Sequence, residues 1–228
     1  MADNKKLKNF IKNYWNYYLR LEEEFLTALK YVEFDKDNYK TFSIEFLTVL
    51  LSVCSEIDVV GKMIANDFNK NFIPEKKNNT IYKWWYEIQN CLSLSDKTTN
   101  FKYIEEIKPW SNFKIEQVSN KKGKKYLRLE KSSNSKLPKW WNDYNSIKHN
   151  RTSLDVTKEK SNFKNANLEN LSKAFSGLYI LEKSFIEKIA TKDELKLIRK
   201  SSLFEKEVVT NQRVESECFT LSEEEIIQ

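Results

Sequence analysis

"FSIEFLTVLLSVCSEIDVVGK", residues 42–62, sets the fold class. Its apolar residues, Ile44, Phe46, Leu47, Leu50, Leu51, Val53, Ile57 and Val60, recur at helical spacing but cover much of the circumference. A helix apolar on so many sides is surrounded by other elements rather than laid on a surface. The pattern continues through Ile64, and Thr41 or Ser43 is placed to cap its start, giving a central helix over about 43–69. The rest of the chain has to supply the bundle around it.

Upstream, Phe10, Tyr14, Tyr18, Leu21, Phe25, Leu29 and Val32 mark one amphipathic helix over 5–33, which "EFDKDNYKT" ends. Downstream, Pro74 and "EKKNN" make a loop, and "TIYKWWYEIQNCL" (80–92) reads as a shorter third helix. From about 93 to 136 the texture changes. "FKIEQVS" and "YLRLEK" alternate apolar and polar residues around "NKKGKK", the pattern of a two-stranded hairpin with Gly123 in its turn. Two strands alone are marginal, so the hairpin inserts into a helical body. Pro138, at a first-turn position, opens a fourth helix. A polar loop covers 152–164, and "NANLENLSKAFSGLYILEKSFIEKI" (165–189) is the fifth helix, with Leu168, Leu171, Phe175, Leu178, Phe185 and Ile189 on its buried side. The expected architecture is all-α: a bundle of about five helices over residues 1–191, a small β-hairpin insertion at about 111–131, and an acidic tail, 192–228, that is weakly ordered or docked on a partner.

Three Gly and three Pro in 228 residues argue against all-β folds and glycine-cornered phosphate loops. Neither GxGxxG nor GxxxxGK[ST] occurs. "FLTVLLSVC" (46–54) is far too short for a membrane span and "MADNKKLKNF" has no signal-peptide core, so no membrane association and a cytoplasmic location are expected. Cys54, Cys91 and Cys218 are scattered and odd in number. They read as reduced thiols, and with a single histidine they make no zinc set, so neither a metal nor a cofactor is expected. The last fourteen residues, "ESECFTLSEEEIIQ", hold five acids and no base, so the whole-chain charge of +6 conceals +11 on residues 1–214. A body that basic attracts polyanions such as RNA, although an Asn/Lys-rich composition also gives basic surfaces with no ligand.

"PKWWNDYNSIKHNR" (138–151) holds the only histidine. On a helix Trp141, Asn145 and His149 share one face, Tyr144 and Lys148 form the next stripe, and Arg151 comes half a turn later. An imidazole exchanges a proton near neutral pH, lysine and arginine offset phosphate charge, and aromatic rings stack splayed bases. Trp140, Trp141, Tyr144 and Ile147 also read as plain core packing, with His149 one more polar residue. On the central helix Asp58–Lys62 is an i, i+4 ion pair in the favourable order. "KWWYEIQN" (83–90) echoes "KWWNDYNS" (139–146), by chance or by a shared way of packing tryptophan rather than as a repeat. Lys121, Lys122, Lys124 and Lys125 of the hairpin read either as a clamp on a phosphate backbone or as a solvated tip.

The chain resembles the HEPN superfamily of helical bundles, many of them metal-independent endoribonucleases of toxin–antitoxin and phage-defence systems. The resemblance rests on "YNSIKH" (144–149), with Asn145 and His149 at the spacing of that family's polar residue and histidine, on 42–62 as its acid-bearing second helix, and on "ANLENLSKAFSGLYILEK" (166–183) as the helix after the motif. Tyr144 stands where the family's signature arginine would be. The resemblance implies a homodimer whose motif helices meet in one cleft that cleaves RNA by 2′-hydroxyl attack. His149 is then the acid/base, Arg151 and Lys148 bind phosphate, Asn145 positions it, Tyr144 and Trp141 contact RNA, and Glu56 supports the motif helix by orienting His149 or Lys148. The alternative it leaves open is a non-catalytic module that binds RNA or a partner protein, such as an antitoxin or defence component.

Overall fold

The structure, a computed structural model, describes residues 4–76, 80–101, 105–132, 134–152, 154–155, 160–204 and 209–210. Six helices dominate. Helix α1 is continuous through Lys5–Phe10, a π-helical turn at Ile11–Trp15, and Asn16–Ala28. α2 is Ile44–Phe68, α3 Ile81–Leu92, α4 Lys139–Asn150, α5 Leu168–Ile189 and α6 Lys192–Leu197. Short strands join them: β1 Lys97–Phe101, β2 Glu105–Ile107, β3 Ile115–Ser119, β4 Lys125–Leu129, β5 Leu154–Asp155, β6 Lys160–Ser161 and β7 Val209–Thr210. All pairings are antiparallel, in the order β2-β1-β7 for the three-stranded sheet, with separate β3–β4 and β5–β6 pairs.

The central helix is where the sequence puts it. Ser43 caps α2 by accepting from Phe46 N at 3.0 Å, and Asn167 caps α5 by accepting from Asn170 N. Phe42 bridges to Asn167 at the two starts, and Phe68 meets Phe185 near the two ends, so α2 and α5 run side by side in the same direction. α1 runs opposite to both: Asn4 donates to Ile189 O, and Phe25 packs on Phe46. It stops at Ala28, short of residue 33, because Lys30 N and Tyr31 N turn back to Thr27 O and Ala28 O in tight i→i−3 bonds.

The two KWW segments meet in one tryptophan layer. Trp85 and Trp140 both pack on Trp110, with ring centroids at 4.7 and 5.0 Å. Each buried indole N–H has a partner: Trp84 donates to Asp58, Trp85 to Phe113 O, Trp110 to Gly177 O and Trp140 to Pro109 O. The two KWW segments thus contribute tryptophans to one layer, each with its own hydrogen-bond partner. Gly61 of α2 lets Trp84 approach so closely that a Cβ there would lie 2.6 Å from the ring. Gly61→Ala should lower stability by about 1–3 kcal/mol through overpacking, read as a denaturant midpoint shift with an unchanged m-value.

The expected hairpin is present as β3–β4. Gly123 takes φ 77° and Asn120 Oδ1 accepts from Lys122 N and Lys124 N across the turn. A second small hairpin, β1–β2, lacks the apolar alternation of a strand, because two of the three inward positions of β1 are polar. Lys97 and Thr99 face in with Phe101, and the buried Lys97 Nζ donates to Ser184 Oγ at 2.7 Å. The expected loop at 152–164 also carries the β5–β6 pair.

The chain beyond 191 is part of the body as far as Phe204. A capping box between Thr191 and Glu194 starts α6. The buried Glu22 carboxylate then accepts from Ser202 N at 2.7 Å and from the hydroxyls of Tyr18, Ser201 and Ser202, while Phe204 stacks on Tyr179. The expected acidic end, 215–228, lies outside the described residues. Cys54 is a buried free thiol but Cys91 is disulfide-bonded, which departs from the expectation of reduced thiols throughout. Among the described residues no helix is long and apolar enough to cross a membrane.

Candidate nucleic-acid interface

Helix α4 carries the motif from the core to the surface. Pro138 sits at the cap rather than inside the first turn, with φ −52° and ψ 132°, so the chain enters extended and becomes helical at Lys139. Trp140 and Trp141 anchor the first turn. Asp143 is held by Lys139 on its own helix and by Asn170 Nδ2 of α5 at 2.8 Å, which fixes the rotation of α4. Trp141, Asn145 and His149 lie along one stripe whose exposure rises step by step: Trp141 is buried, Asn145 half-buried and His149 exposed. Asn145 Nδ2 donates to Trp141 O at 3.0 Å, so its amide is turned onto its own helix.

Lys148, His149, Asn150 and Arg151 are all exposed at the C-terminal end of α4. Carbonyls at a helix C-terminus repel anions, but two of those at this end are occupied. Asn150 O accepts from Asn162 Nδ2 at 2.9 Å, and Arg151 O from Phe163 N at 3.1 Å. The same 3₁₀ turn, Asn162–Asn165, brings Lys164 to this end, its Nζ 5.9 Å from the Phe42 ring. Sequence spacing does not reveal Lys164 here, because its ring contact, Phe42, lies more than a hundred residues earlier. Lys148, His149 and Arg151 thus put two cations and one imidazole at this end, and no acid is paired with Lys148, Arg151 or Lys164 among the described residues.

Tyr144 is not on this surface. It is 4% exposed, packs on Trp141 at 5.3 Å, and has Lys148 Nζ over its ring at 5.5 Å. Burial, with the nearby Cys54 and Asp58, pushes its phenol up to about 12, so it stays a neutral hydroxyl at any physiological pH. Tyr144 and Trp141 are therefore packing residues that seat the motif helix, and neither offers a ring face for a base.

The acids of α2 divide between two sides. Asp58 faces α3 and α4, accepting from Trp84 Nε1 at 3.0 Å and pairing with Lys62 at 2.5 Å, the ion pair read from the sequence. Glu56 is grouped instead with Tyr14 of the π-helical turn and Glu182 of α5, each of which it perturbs electrostatically, and it carries no bond to His149 or Lys148. Burial raises its carboxyl to about 7. Glu182 is fully buried with both oxygens unpartnered, and burial followed by the Glu56 charge holds its carboxyl well above the usual range. This carboxyl pair, half of it absent from the sequence reading, forms a second polar locus on the side of α2 away from the motif.

The four hairpin lysines 121, 122, 124 and 125 are exposed. Their hairpin is anchored on α3, where Gln89 both donates to Ile115 O and accepts from Ile115 N. Helix α4 is anchored on α2 and α5, so the structure does not gather the hairpin lysines and the motif cations into one cluster. Among the described residues no group of three or more His, Cys, Asp or Glu could hold a metal ion. No family model, curated protein or solved structure matches the chain.

Proposed function

We propose that the exposed end of α4 is an RNA-phosphate contact surface and that the chain is a HEPN-like endoribonuclease acting without a metal. The observation that carries this reading is the joint exposure of Lys148, His149 and Arg151 at the end of α4, with no acid paired to Lys148 or Arg151 among the described residues. Lys148, Arg151 and Lys164 bind successive phosphates. His149 exchanges the proton of the 2′-hydroxyl or of the leaving 5′-oxygen. One imidazole cannot do both at once, so two chains meeting at their motif helices supply the acid and the base from two copies of His149.

A second reading, an RNA-binding module without cleavage, is favoured by the burial of Tyr144, which removes the signature position from the surface. Both readings require that RNA bind, with affinity falling steeply as salt rises because counterions leave the phosphates. Single-turnover incubation of purified protein with end-labelled single-stranded RNA in excess EDTA separates them. Cleavage that persists supports the nuclease, cleavage restored only by a divalent ion removes the metal-free mechanism, and binding alone establishes the module. Changing Lys121, Lys122, Lys124 and Lys125 together to Ser should leave the salt slope nearly unchanged, because they lie outside the α4 cluster. A flattened slope would make the hairpin part of the RNA surface.

A further inference from the structure

Surfaces that hold single-stranded RNA combine phosphate-binding cations with aromatic rings on which unpaired bases stack. The end of α4 has the cations, Lys148 and Arg151, but the rings of the motif, Trp141 and Tyr144, are buried. A ring from another part of the chain lies close by. Phe42 precedes the Ser43 cap of α2 and is 38% exposed. Phe163 connects it to the end of α4: its backbone N donates to Arg151 O at 3.1 Å, and its ring meets that of Phe42 at 5.4 Å and 86°. The other exposed aromatic residues among those described, Tyr17, Tyr31 and Tyr126, sit on α1, just after it, and on β4.

The backbone that carries this ring is held at several points. Thr41 O accepts from Leu168 N at 3.0 Å, Tyr39 O accepts from Glu169 N at 3.2 Å, and Phe42 bridges to Asn167. Ser43 and Asn167 are also the caps of α2 and α5, so the starts of two long helices fix the position. An apolar residue just before a helix cap often folds back as a staple on the residue five positions later. That residue, Leu47, is buried, yet Phe42 stays exposed. Lys164 is exposed too, its Nζ 5.9 Å from the Phe42 ring, at the outer reach of a cation–π contact. Ring and ammonium together suit one nucleotide, with the base on the ring and the phosphate on the lysine.

We propose that Phe42 is a base-stacking platform beside the end of α4, taking one unpaired nucleobase whose phosphate lies against Lys164, and that it selects single-stranded RNA over duplex. This rests on the RNA-contact reading of α4. Stacking needs a free base face, which the interior pairs of a duplex do not offer. It also releases no counterion, so Phe42 adds affinity that salt does not remove, whereas Lys148 and Arg151 add affinity that it does.

Titrations of the full chain with a short labelled single-stranded RNA, with its duplex, and with an abasic oligomer of equal length test this, in EDTA and over a range of salt. Phe42→Leu keeps an apolar residue at the staple position. It should weaken single-strand binding about 5- to 100-fold, the range of one base–aromatic stack, with salt slope, duplex affinity and melting temperature nearly unchanged. Phe42→Trp should restore the affinity. The abasic oligomer, which keeps the phosphates and lacks the bases, should bind wild type and Phe42→Leu equally. Arg151→Ser should instead weaken every ligand and lower the salt slope by about one. Wild-type affinity in Phe42→Leu, with Arg151→Ser still impaired, would overturn the platform and leave the phosphate surface standing. Equal losses on single strand, duplex and abasic oligomer, or no rescue by Trp, would make Phe42 a packing residue and overturn it too. No RNA binding by wild type, or binding that Arg151→Ser leaves intact, would remove the α4 surface and the platform with it.

Discussion

Replacing Glu182 by Met should raise the thermal midpoint at pH 8 and change it much less at pH 5. Glu182 lies inside α5 with no solvent contact and no hydrogen-bond partner for either oxygen. Leaving such a group unsatisfied costs about 1–3 kcal/mol, more when it is charged. Its neighbour Glu56 has a carboxyl raised to about 7 by burial. Both shifts have the same sign. A carboxyl that holds its proton more tightly folded than unfolded adds stability fully present below its ordinary value near 4.5, and that stability is lost as pH rises towards the folded value. For Glu56 the loss runs from about pH 4.5 to 7 and amounts to about 1–2 kcal/mol, after allowance for partial solvent screening. Melting curves at pH 5 and 8 for wild type, Glu56→Gln and Glu182→Met give the test. At about 2–4 °C per kcal/mol for a chain of this size, the wild type should lose several degrees between the two pH values and both variants less. An unchanged pH dependence in both would remove the pair as its source. Loss of stability in Glu182→Met at both pH values would mean that the carboxyl has a bound partner.

That pair also marks where sequence reading stopped. Periodicity located α2 and α5 because apolar faces recur at 3.6 residues whatever they pack against. It says nothing of a single acid set among them: Glu182, between Leu181 and Lys183, looks like any surface glutamate, since charged residues are rarely buried without a partner. The motif is a similar case. Spacing places Trp141, Asn145 and His149 on one stripe, but the depth of each along that stripe depends on how Asp143 and Asn170 rotate the helix. β1 carries no alternating apolar pattern because Lys97 and Thr99 are its inward residues: Lys97 is satisfied by Ser184, far away in the chain, and the Thr99 hydroxyl is buried without a hydrogen-bond partner. The segment to Phe204 was read as tail because Glu22, which holds it, comes some 180 residues earlier. Local patterns were legible; long-range polar contacts were not.

The nuclease and binding-module readings part most sharply at three positions of α4. His149→Ala should cut single-turnover RNA cleavage by a factor of 10²–10⁴, the usual contribution of a positioned acid or base, with an unchanged melting temperature. The side chain is exposed and makes no contact that folding needs. Arg151→Ala should reduce cleavage comparably, by about 2–4 kcal/mol of transition-state stabilisation, by analogy with a lost oxyanion donor. Its backbone carbonyl, which holds the 162–165 turn, is retained in the variant. Tyr144→Arg introduces the arginine of the HEPN-type signature but should not make it functional. The position is 4% exposed against Trp141, so the guanidinium would be buried beside Lys148, and the variant should lose about 3–5 kcal/mol of stability. Tyr144→Phe keeps the ring and should keep both fold and activity. Cleavage by His149→Ala at the wild-type rate would remove the imidazole from the mechanism. A stable, faster Tyr144→Arg enzyme would show that position 144 reaches the substrate after all, and that α4 turns about its axis when RNA binds.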